Sequence, residues 1–124
     1  MNKDIIIYLC GFHSLGFAIF HLFFWKLFKW KTDLQNISKP NKGIIQIANI
    51  RLIYIFLFTA FLCFFFTQDL YTTNLGKAFL IGGSLFWLGR TIEQFIFLRI
   101  KHRLIHLLTA LFVLGTILFL LPLF

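Results

Sequence analysis

Arg90 and Glu93 stand three residues apart in an apolar run, Gly76 to Leu98, that is long enough to cross a bilayer. Charge in such a place is costly, so it marks either a functional site or a packed polar contact between helices. The histidines are the other candidates. His102 and His106 have the i, i+4 spacing that sets two imidazoles on one helix face, and His21 with Glu93 could complete a metal shell. His21 and His106 could instead hold a haem between helices. Against a metal, His102 lies between Lys101 and Arg103, where a cation is repelled. His13 stands alone in the other half of its segment and reads as a packing histidine.

Catalytic patterns are missing. There is no nucleophile elbow, phosphate loop, H-E-x-x-H or pair of carboxylates, and Glu93 is the only acidic residue inside an apolar segment. No catalytic residue and no metal ligand is assigned and the cofactor is left undetermined; a non-enzyme is favoured, while one carboxylate with a histidine could still do general acid and base work on a lipid.

The elements that must position these residues follow from composition. Hydrophobic residues make up 60% of the 124 and charged ones 13%. Soluble domains run nearer one half and about one quarter, so this is an integral membrane protein. Four segments, about 5–28, 44–66, 77–98 and 104–124, each approach the ~20 residues a spanning helix needs. The connections are too short for a soluble domain. The expected fold is all-α, one domain over 1–124, with four transmembrane helices in an up-and-down antiparallel bundle.

Charge sets the orientation. Lys26, Lys29, Lys31, Lys39 and Lys42 surround the first loop and Arg99, Lys101 and Arg103 the third, whereas the other side carries Lys3 and Lys77 against Asp4 and Asp69. By the positive-inside rule both termini face out, which places the chain as a multi-pass protein of a bacterial-type inner membrane. The net charge of +8 is confined to these loops. It therefore points to anionic headgroups and not to nucleic acid. Cys10 and Cys63 read as small packing residues, and Trp25, Trp30 and Tyr71 as interfacial anchors.

Helical spacing predicts which faces turn inward. The stripes are Gly11, Ser14, Ala18, His21 and Trp25 in the first helix, and Gln46, Asn49, Ile53, Phe56, Ala60, Cys63 and Thr67 in the second. In the third they are Ala78, Gly82, Gly89 and Glu93 with Arg90 and Gln94 at the edge, and in the fourth His102, His106, Thr109, Val113, Thr116 and Leu120. Small and polar residues are what a helix interface in lipid contains. At ~1.5 Å per residue, His21, Asn49, Glu93 and His106 each lie on the order of 5 to 10 Å from the cytoplasmic edge. One polar layer of His21, Gln46, Asn49, Arg90, Glu93, Gln94 and His106 is the expected ligand-binding or structural centre.

The expected role is a non-catalytic accessory, scaffold or ligand-binding component of a membrane complex, with a membrane-protein partner or a second copy of itself. Two alternatives stay open. One is a small homo-oligomeric transporter or channel using Glu93 and Arg90, and the other is a haem-, metal- or quinone-binding redox protein using His21 and His106.

Overall fold

The computed structural model describes residues 1–124, and every regular element in it is helical. In chain order these are α1 (Lys3–Leu22), α2 (Phe24–Leu27), α3 (Trp30–Asp33), α4 (Lys39–Phe65), α5 (Thr67–Thr72), α6 (Asn74–Phe97) and α7 (Arg103–Leu120). Short 3-10 turns occupy Leu34–Asn36 and Leu121–Leu123. Three helices are long and apolar enough to cross a membrane: Lys3–Leu22, Lys39–Phe65 and Arg103–Leu123. The third expected span, α6, has 24 residues but is not among them. Its Asn74, Lys77, Arg90, Glu93 and Gln94 dilute an otherwise apolar helix.

Several boundaries differ from the expected ones, each for a local reason. The first helix ends at Leu22 and not near residue 28, because the chain then reverses in short pieces. Lys29 supplies the reversal with a left-handed backbone, φ 52 and ψ 45. The reversal folds the Trp30 ring edge-on against Phe24 and Trp25, at centroid distances of 5.8 and 5.4 Å. The second long helix starts at Lys39 and not near residue 44, because Pro40 falls in its first turn, where a missing N–H costs nothing. The connection between α4 and α6 is itself partly helical, as α5. Thr73 then starts α6 by accepting a hydrogen bond from Gly76 N at 3.0 Å while donating to Asp69 O at 2.7 Å.

The chain divides into two compact units, Met1–Cys10 with Leu62–Phe124, and Gly11–Phe61. In the first, α6 and α7 form an antiparallel hairpin. The pairs Gln94 with Ile105, Trp87 with Phe112 and Ser84 with Thr116 keep a nearly constant sum of residue numbers, which is the mark of antiparallel packing. Gly83 provides the hollow that takes the Phe119 ring; a Cβ at Gly83 would stand 2.7 Å from it. In the second unit the end of α1 runs antiparallel to the start of α4, with His21 against Asn49 and Phe17 against Phe56.

Two of the four expected stripes are found. Gly11, Ser14 and Ala18 are buried on α1, and Asn49, Phe56, Ala60, Cys63 and Thr67 on α4 and just beyond its end. On α6 the inward residues are Gly76, Leu80, Ser84, Trp87 and Gln94, while Ala78, Gly82 and Glu93 are exposed. On α7 they are Leu108, Phe112, Gly115, Leu118 and Phe119, while His106, Val113 and Leu120 are exposed. Phe119 fills the hollow at Gly83, Phe112 stacks on Trp87 and Ser84 bonds to Thr116 O, so the face that makes these contacts turns inward.

Candidate functional site

In the Gly11–Phe61 unit, His21 and Asn49 bond twice. Asn49 Nδ2 donates to the His21 carbonyl at 2.9 Å, which fixes the amide so that Oδ1 is the acceptor for His21 Nδ1 at 2.8 Å. The His21 Nδ1–H therefore donates to Asn49. The ring packs against Phe24 at 4.1 Å and Phe56 at 5.3 Å between centroids. One helical turn earlier in α4, Trp25 Nε1 donates to Gln46 Oε1 at 2.9 Å, and Gln46 Nε2 donates to Lys42 O at 3.1 Å. Gln46 and Asn49 thus spend their polar atoms on helix-to-helix bonds and on their own backbone. Asn49, only 3% exposed, is a fully bonded interior amide.

The other expected residues lie in the first unit, Met1–Cys10 with Leu62–Phe124. The Arg90 guanidinium sits over the Phe112 ring at 4.7 Å, and that ring stacks on Trp87 at 5.6 Å. Gln94 is 2% exposed; its Nε2 donates to Ile105 O at 3.3 Å, and its Oε1 is buried with no partner. Glu93 and His106 are exposed on the hairpin surface. His102 is used as the cap of α7, its Nδ1 accepting from Leu104 N at 3.1 Å. No group of three His, Cys, Asp or Glu side chains gathers that could hold a metal ion.

Between the end of α6 and the start of α7 lies a cavity of about 260 Å³, lined by Gln94, Arg99, Lys101, Ile105, His106 and Thr109 among others. No acidic side chain lines it. The sequence points to its basic turn, since Arg99, Lys101 and Arg103 alternate along it, but not to the recess beside it. At the opposite end of the hairpin, Tyr71 donates its phenol to Asp4 Oδ1 at 2.7 Å, and the Lys3 ammonium lies 5.8 Å from the Tyr71 ring centre. That bond, with some burial and the Asp4 charge, raises the Tyr71 phenol above its ordinary value. Spacing could not reveal this contact, because 67 residues separate the partners.

No family model matches this chain, and no curated protein or solved structure matches it either.

The remaining polar groups inside the hairpin are satisfied locally. Ser84 Oγ donates across to Thr116 O at 2.8 Å, and Thr91, Thr109 and Thr116 each donate to the carbonyl four residues back. Cys10 and Cys63 are buried free thiols, and Cys10 Sγ donates to Leu118 O at 3.2 Å. His13 is half-buried and tilts against Phe17 at 5.0 Å.

Proposed function

We propose that this chain is a multi-pass protein of a bacterial-type inner membrane in which α6 is a fourth span. The four long helices then run up and down with both termini outside. It works as a non-catalytic accessory or scaffold component that docks a membrane partner on the α6 face carrying Ala78, Gly82, Gly89 and Glu93.

The observation that carries this reading is the exposure of Glu93 among Ile92, Phe95 and Ile96, all of them exposed as well. A carboxylate facing lipid from a spanning helix costs on the order of 3 kcal/mol, a cost removed when a neighbouring helix supplies donors. At Gly82 and Gly89 on the same face, nothing lies within 4 Å of the place a Cβ would take, so another backbone can come close there. The satisfied state of His21, Asn49, Gln46 and Trp25 adds support, since those groups hold helices together.

The test is native mass spectrometry of the chain gently extracted from its own membrane, as wild type and as Glu93→Gln and Gly82→Leu. The expected result is a stoichiometric partner chain that both variants lose while their helical content and unfolding midpoint stay unchanged. A complex that survives both substitutions, or a wild type that carries no partner, overturns the reading.

A further inference from the structure

Two opposite charges are exposed along the apolar lengths of the long helices, Arg51 on α4 and Glu93 on α6. The Arg51 guanidinium stays on its exposed face, 5.7 Å from the centre of the Tyr54 ring. Arg90 is near enough to Glu93 to feel its charge, but its guanidinium rests over the Phe112 ring at 4.7 Å. At ~1.5 Å per residue, Arg51 lies about 10 Å along α4 from Ile44, and Glu93 about 8 Å back along α6 from Leu98. With the start of α4 and the end of α6 on one side of the membrane, the two charges share one depth. Each is costly while it faces lipid, and a helix that brings the opposite charge removes both costs together.

We propose that the partner of the α6 face is a second copy of this chain, whose Arg51 on α4 meets Glu93. This rests on the reading given under the proposed function and names the occupant of the face that carries Ala78, Gly82, Gly89 and Glu93. In that membrane orientation α4 runs outward and α6 inward, so α4 of one copy lies antiparallel to α6 of the other. Setting Arg51 opposite Glu93 then brings Ile55 opposite Gly89, and Phe58 between Gly82 and Gly89. Ile55 and Phe58 are exposed, and at Gly82 and Gly89 open space surrounds the place a Cβ would take. The register that pairs the charges therefore also sets large side chains of α4 against the hollows of α6. Each copy carries both halves of the contact, so no other protein is needed to complete it.

The experiment co-expresses two full-length copies with different affinity tags in a bacterial membrane, purifies through one tag, and counts the other copy by native mass spectrometry. Wild-type copies are expected to retain each other. Arg51→Glu in both copies sets carboxylates face to face, and Glu93→Arg in both sets guanidiniums face to face. Each is expected to lower retention about fivefold or more. Arg51→Glu in one copy with Glu93→Arg in the other restores opposite charges across the contact, and is expected to return retention to within about twofold of wild type. That recovery needs both variants folded, and no pairing within one chain produces it. A mixture retained no better than either variant alone overturns the inference. An equal loss on Arg99→Glu, which reverses a charge outside the contact, overturns it as well. Where circular dichroism shows a reversed variant to be unfolded, Arg51→Gln and Glu93→Gln replace it, and unchanged retention in those folded chains overturns the contact. A wild type that retains a different chain, lost on Glu93→Gln, and no second copy overturns this inference while the docking face stands. A wild type with no partner of either kind overturns both.

Discussion

Asn49 holds His21 by two hydrogen bonds at once, one to the imidazole at 2.8 Å and one to the main-chain carbonyl at 2.9 Å. Both bonds run between α1 and α4, so the amide orients the ring and pins the helix that carries it. Asn49→Ala removes both of these bonds and is expected to destabilise by about 1–2 kcal/mol. A double-mutant cycle with His21→Phe, read by unfolding in mixed detergent, should return a coupling of about 0.5–1.5 kcal/mol. Additive effects would show that the pair does not join the helices.

The close approach of α5 to α6 depends on Gly76. A methyl group there runs into Asp69 O and the Leu70 backbone, neither of which can swing aside as a side chain does. Gly76→Ala is expected to cost about 1–3 kcal/mol. Gly16→Ala in α1, where nothing lies within 4 Å, is expected to be neutral or to stabilise by up to about 1 kcal/mol through helix propensity. Unfolding midpoints of the two variants in one detergent series check the contrast.

Tyr71 and Asp4 make stability depend on alkaline pH. The phenol's pKa is raised in the folded chain, first by its hydrogen bond to the Asp4 carboxylate, so the folded state binds its proton more tightly than the unfolded state does. Its contribution is therefore complete below the unfolded value of about 10 and is lost as pH rises through the higher folded value. Wild type should lose stability across that window more steeply than Tyr71→Phe. The difference absorbance of wild type minus Tyr71→Phe should titrate above the ordinary range, and Asp4→Asn should bring it down. Titration that Asp4→Asn leaves unmoved would remove the hydrogen bond from the account.

Lys29 holds a left-handed backbone that a side chain makes costly. Lys29→Gly removes that strain at a position where the chain must reverse, and is expected to stabilise by up to about 1 kcal/mol. Since the turn carries Trp30 back onto Phe24 and Trp25, tryptophan emission should stay unchanged while the unfolding midpoint rises. A red shift would mean that Lys29 itself orders the ring cluster.

The stripes on α1 and α4 could be read from spacing because in both helices the small and polar positions are also the packed ones. Ser14 and Ala18 admit a neighbouring helix, and Asn49, Ala60, Cys63 and Thr67 repeat the same logic at three- and four-residue steps. On α6 and α7 the same rule points to the wrong face. A row of small residues looks alike in sequence whether it packs inside the chain or lies open on its surface. The choice was made by ring-in-hollow contacts, Phe119 over Gly83 and Trp87 on Phe112, which spacing along one helix does not contain.

Helices, and the reading of a membrane-crossing chain, are already written in the apolar runs, because a backbone in lipid must satisfy its own polar groups and a helix does so locally. The basic loops are equally local and equally legible. The partner of each polar side chain is a different kind of fact. Asp4 meets Tyr71, His21 meets Asn49 and Gln94 meets Ile105 because of how helices are rotated and paired. Those rotations minimise voids and unpaired polar groups over many contacts together, so they emerge only when the helices pack.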